Sequence, residues 1–169
     1  MKTSEAFKSV LFSWDLWCAL GLIVIMAFVV RHDVTAQTAK GVFEISVTVL
    51  SIVFSVFFAG LAVLITAGDN EFVKFLEEDG AYREIIWTFK FTLFLLFFAL
   101  ISAIVLFVSV LPLDDLQLYT FPKWLLLLFG FITTYSLFAA FNSSLDTIKY
   151  AEYRARFIEI MREEIDENA

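Results

Sequence analysis

Hydrophobic positions in this chain gather into four long runs separated by short polar stretches. The clearest run, Phe91 to Leu111, holds 21 residues without a charge. A helix of that length rises about 31 Å, enough to cross a hydrocarbon core of about 30 Å. Sixteen of the 21 are Leu, Ile, Phe or Val. Each contributes roughly −0.3 to −0.6 kcal/mol on an insertion scale, so the run favours a bilayer by several kcal/mol. The pattern therefore predicts an all-α fold, a polytopic membrane protein with four transmembrane helices and a cytoplasmic C-terminal amphipathic helix. The spans fall at about 11–30, 42–66, 85–111 and 124–141, so residues 1–141 form the transmembrane domain, 67–84 a cytoplasmic loop and 142–169 the tail.

Polar residues mark the ends of these runs. Trp14 and Trp17 suit an interfacial aromatic belt, and Asp15 between them is tolerable at headgroup level. The preceding stretch, Ser4 to Phe12, is expected to lie along the membrane. A polar connector, Arg31 to Lys40, leads to the second run, whose charge is Glu44. Lys90 sits near the start of the third run, where its long stem can reach the interface. Pro112 ends that run, Asp114 and Asp115 follow, and Pro122 stands at a favoured first-turn position of the fourth. Lys2, Lys8 and the triplet Val34-Thr35-Ala36 loosely fit a cleaved leader. Trp14, Asp15, Trp17 and the Arg31-His32-Asp33 cluster do not, and a retained first helix is expected.

The soluble stretches carry amphipathic faces of their own. In the middle loop Asp69 or Asn70 can cap a short helix with Phe72, Phe75 and Leu76 on one face, ended by Gly80. From Gly68 to Glu84 six acidic residues oppose Lys74 and Arg83, a net charge of −4 that disfavours anionic lipid. Beyond Phe141 the helical period continues through Leu145, Ile148, Ala151, Ala155, Ile158, Met161 and Ile165. Tyr150, Tyr153, Phe157 and Ile160 add a second apolar strip, more than a solitary helix leaves in water, so the tail must pack on something. The middle loop, another copy or a soluble cytoplasmic partner could supply that contact.

Composition narrows the function classes. The chain is 60% hydrophobic with 21 Phe among 169 residues, far above an ordinary soluble domain. Net charge is −7 and no basic patch occurs, which argues against binding nucleic acid through its phosphates. Cys18 has no partner in the chain for a disulfide. Nine Lys and Arg fall on the two ends and the middle loop, against Arg31, Lys40 and Lys123 on the two short connectors, so both termini are expected in the cytoplasm.

The most specific pattern lies in the second run. Glu44, Thr48, Ser51, Ser55, Ala59, Ala62 and Thr66 recur at steps of three and four, placing polar and small groups on one helical stripe. Such a stripe lets helices approach closely and hydrogen-bond across an interface. Alternatively, several subunits turn it toward a water path, with Glu44 as an acidic ring selecting cations. Gly130, Thr133 or Thr134, and Ala140 form a weaker strip in the fourth run, read as helix packing, and no GxxxG occurs. Asp15 and Lys90 could pair or snorkel separately. Enzymatic readings lack parts: His32 has no Cys beside it, no nucleophile has a histidine base, and no glycine-rich phosphate cradle appears. No cofactor or metal is expected. Four spans without Gly/Pro-broken helices also give little room for a midplane transport site.

The four-span layout, joined by the segment Gly68-Asp69-Asn70-Glu71-Phe72-Val73-Lys74-Phe75-Leu76-Glu77-Glu78-Asp79-Gly80, resembles small four-helix membrane proteins found among bacterial anti-phage defence genes. The resemblance is one of architecture and transfers no site residue. It implies an oligomeric effector or sensor of the bacterial inner membrane that works with a soluble partner. The expected function is a homo-oligomeric channel-like or membrane-perturbing assembly under cytoplasmic control. The alternative is a membrane anchor that docks a cytoplasmic protein through the tail and acidic loop without conducting.

Overall fold

The computed structural model describes residues 14–30, 33–66, 81–113 and 120–167, and these are almost entirely helical. In chain order they form α1 (Trp14–Val29), β1 (Val34–Thr35), α2 (Ala36–Thr66), α3 (Ala81–Val110), a single 3-10 turn (Leu111–Leu113), β2 (Thr120–Phe121) and α4 (Lys123–Glu167). Three helices are long and apolar enough to cross a membrane, within Ala36–Ala62, Ile85–Val110 and Lys123–Glu159. The described part of α1 has 16 residues and spans about 24 Å, shorter than the other three. The middle-loop residues Phe72, Phe75 and Leu76, the Asp114-Asp115 turn and His32 lie outside the described residues.

Local chemistry explains where the helices begin. Thr35 is the cap of α2: its hydroxyl accepts from the Thr38 backbone N–H at 3.3 Å and pairs with the Thr38 hydroxyl at 2.9 Å. The helix therefore starts six residues before the apolar run at Val42, within what the sequence reads as connector. Pro122, lacking an N–H, precedes α4 and offers its carbonyl to the backbone N–H groups of Leu125 and Leu126. The first α4 amide, at Lys123, donates to the Asp33 carboxylate at 2.9 Å. That capping group comes from the other connector, and its negative charge also suits the positive end of the helix. Antiparallel pairing of Val34 with Phe121 and Thr35 with Thr120 ties the same two connectors together.

Side-chain size sets the packing. Phe57 stacks on Phe89 with centroids 4.8 Å apart, joining α2 to α3 antiparallel, while Phe43 meets Phe121 and Phe129 edge-on at 5.4 and 5.0 Å. On α3, Ala99 and Ala103 keep the contact with neighbouring helices close. Ser136, Ala139, Ala140 and Ser143 do so on α4. α1 leans chiefly on α4. Gly130 faces α1 there, and a β-carbon on it would lie 3.3 Å from the end of the Ile23 side chain, which leaves no room for a larger group. At the far end the Lys123 ammonium donates to the Ala27 carbonyl at 2.9 Å, satisfying an acceptor in the last turn of α1.

The outer surface is as apolar as the core. Phe28 is 78% exposed, and Ile45, Val56, Phe94, Val105 and Leu128 also face outward. A surface of this kind is consistent with a membrane protein, whose helices meet lipid on one side and each other on the other. No break occurs at Phe141: α4 continues for 45 residues, about 67 Å, so the fourth run and the tail are one rod. Its extension is held in part by Phe157, half-buried against the core formed by α2, α3 and α4.

Candidate functional site

Two features of the helical array bear on function, one on its outside and one in a recess. The outside feature is the α2 stripe. Glu44, Thr48, Ser55, Ala59 and Ala62 are exposed and Ser51 is half-buried, so the stripe faces away from the other helices for most of its length. Thr66 closes α2, and its side chain lies outside the described residues. Each hydroxyl donates to its own helix one turn back: Thr48 to the Glu44 carbonyl at 3.1 Å, Ser51 to Val47, and Ser55 to the Ser51 carbonyl at 2.8 Å. The donors are thereby satisfied without a partner helix, which hydrocarbon requires of any exposed hydroxyl.

Small residues pack inside the fold on all three long helices, as Ala36 and Ala39 do on α2, and the buried hydroxyls lie on α3 and α4. The Thr92 and Ser143 hydroxyls meet at 2.7 Å, both fully buried. Ser136, also buried, donates to the Ile132 carbonyl at 2.7 Å and approaches the Leu95 carbonyl across the interface at 3.4 Å. Of the weaker strip expected on the fourth run, Gly130 faces α1 and Ala140 is buried. Among the described residues, the Thr133 hydroxyl alone is buried without a hydrogen-bond partner.

The recess opens where α1, α3 and α4 meet. It is a cleft of about 210 Å³ lined by Asp15, Trp87, Thr88, Phe91, Thr92, Tyr135, Ala139, Asn142, Ser143 and Asp146. The Asn142 amide donates to Asp15 at 3.1 Å, fixing the first turn of α1 against α4. Lys90, exposed on α3, does not pair with Asp15. Trp87 and Phe91 stack with ring planes 5° apart and centroids at 5.5 Å. Two carboxylates, an amide and four hydroxyls thus converge beside aromatic rings, a mixture that neither the stripe nor the core offers.

Half of this cleft, its α4 lining, falls across the end of the fourth apolar run. Tyr135, Ala139, Asn142, Ser143 and Asp146 recur at helical spacing on one face of α4, but they straddle Phe141, where the apolar run ends. Asp15 was visible as an ionisable residue near membrane depth, without its partner. On the extension of α4, Tyr153 is exposed and Phe157 half-buried, while the side chains of Tyr150 and Ile160 lie outside the described residues. Among the described residues no group of three His, Cys, Asp or Glu is placed to hold a metal ion. Compared with known proteins, the chain matches no family model, no curated protein and no solved structure.

Proposed function

We propose that the chain works as a homo-oligomer in a bacterial inner membrane, copies meeting through the outward face of α2 in a channel-like or membrane-perturbing assembly. The observation that carries this reading is the outward position of Glu44, Thr48, Ser55 and Ala59, which leaves lipid or a second copy to meet them. Low side-chain volume along that row allows close approach of a neighbouring helix. Repeated around a ring, Glu44 places negative charge at one mouth and favours cations.

The remaining parts of the reading follow from charge and length. The excess of Lys and Arg at both ends and the middle loop supports four spans with cytoplasmic termini, α1 being the shortest. Local thinning of the bilayer accommodates the difference between about 24 Å and about 30 Å. The resemblance to four-helix proteins of anti-phage defence supports a role as effector or sensor, with control from the cytoplasm through the tail and acidic loop.

Induced expression with a potential-sensitive dye tests the reading. Loss of membrane potential on activation is expected, and Glu44→Lys should shift the preference toward anions. An intact potential under every activating condition overturns the pore. A second reading, a non-conducting anchor for a soluble cytoplasmic protein, is favoured by the exposed Tyr153 and Ile158 on the α4 extension. In that case deletion of Tyr150 to Ala169 abolishes recruitment while ion flux is absent throughout.

A further inference from the structure

The cleft between α1, α3 and α4 has a chemistry that the oligomer reading does not use. Its described lining has two carboxylates, Asp15 and Asp146, and no Lys or Arg. Asn142 donates to Asp15, Thr92 and Ser143 bond each other, and Thr88 and Asp146 have partners of their own, yet every hydroxyl and carboxylate oxygen here has more than one acceptor position. Acceptors and negative charge therefore outnumber donors, which suits an occupant that is cationic and donates only. An ammonium group has that inventory. The rings of Trp87, Phe91 and Tyr135 add aromatic surface, favourable to an ammonium over a ring face. A multivalent metal fits less well, since it prefers six or more oxygens and the described residues bring no third carboxylate, His or Cys.

The level of the cleft narrows the source of that cation. Asn142 stands 18 residues beyond Trp124 on α4, about 27 Å along the axis and close to the thickness of a hydrocarbon core. Trp124 is exposed at one level, and Trp14, Trp17 and Trp87 are exposed at the other, beside Asp15 and the cleft. Tryptophans at two such levels mark the two headgroup zones. The cleft therefore opens where lipid headgroups lie. Lys90, exposed on α3 in the same turn as Trp87 and Phe91, offers a cation to the phosphate of a zwitterionic headgroup.

We propose that this cleft seats the primary ammonium of an aminolipid headgroup, held by Asp15 and Asp146 against Trp87 and Phe91. The site depends on the bilayer placement but not on oligomer formation or conduction, so it stands or falls separately from the pore. The test is native mass spectrometry of the full chain released from vesicles of equal phosphatidylethanolamine and phosphatidylglycerol. Retention of phosphatidylethanolamine is expected to exceed that of phosphatidylglycerol by about tenfold, the equivalent of roughly 1.4 kcal/mol. Asp15→Asn with Asp146→Asn should bring the two lipids to parity. Trp87→Leu, at an exposed position where an apolar side chain is retained, should lower the preference about threefold to fivefold through loss of the ring face. Glu44→Gln, outside the cleft, should leave the preference unchanged. Competition by excess free ethanolammonium assigns recognition to the amine itself, and its failure to compete assigns recognition to the headgroup on its lipid. Equal retention of the two lipids by the unaltered chain, or a preference untouched in both the carboxylate and the Trp87→Leu variants, overturns the proposal.

Discussion

Thr92 and Ser143 show how a single hydroxyl pair acts in this fold. Each is fully buried and each is the other's partner at 2.7 Å, so removing one deprives the other of that bond. Thr92→Val is expected to lower stability by about 1 kcal/mol, and adding Ser143→Ala should recover much of that loss. Thermal unfolding of the single and double variants in detergent measures the coupling, and a strictly additive double variant would contradict it. Gly130 is a second such residue. Gly130→Ala meets the flexible end of Ile23 at 3.3 Å and the Met26 sulfur at 3.8 Å and should be tolerated, whereas Gly130→Leu should push α1 away from α4 and raise the protease sensitivity of α1. The pair was not legible in the chain, because 51 residues separate the two hydroxyls, and Gly130, read as helix packing, did not say which helix stands opposite it.

At the scale of elements much more was legible. The apolar runs located α2, α3 and the first half of α4 well, since hydrocarbon-length hydrophobicity leaves few alternatives to a helix. Ends were less legible. The sequence reading starts the second span at Val42, but the Thr35 cap begins α2 at Ala36. The helical period runs on past Phe141 in the sequence, and Asn142-Ser143-Ser144 continues α4 without a break. Dividing that one helix into an apolar span and a tail kept the α4 half of the cleft from being read as one face. The stripe on α2 was legible as a helical spacing, while its outward direction from Glu44 to Ala62 depends on which faces α3 and α4 cover. Capping between elements gives a further test. Asp33→Ala removes the acceptor for the first amide of α4 and should cost about 1 kcal/mol, read as a lower midpoint of thermal unfolding. An unchanged midpoint would mean that water replaces the carboxylate without loss.

For the whole molecule, the decisive quantity is the solvent on each surface. Side chains such as Phe28, Val56 and Phe94 cover the outside, and the chain is expected to require detergent or lipid at every stage of purification. Tags on the two ends should report from the same compartment; opposite compartments would overturn the four-span reading. If copies associate through α2, Ala59→Leu should reduce the mass of the solubilised particle while leaving its helix content intact. An unchanged mass would move the interface elsewhere.

The unbroken course of α4 has a mechanical consequence. A rod of about 67 Å with no joint at the water boundary carries rotation or axial thrust from one end to the other with little loss. A ligand that grips the turn around Tyr153 would thereby swing the Asn142 and Ser136 levels as well, using the helix as a lever whose fulcrum is the antiparallel seam with α3.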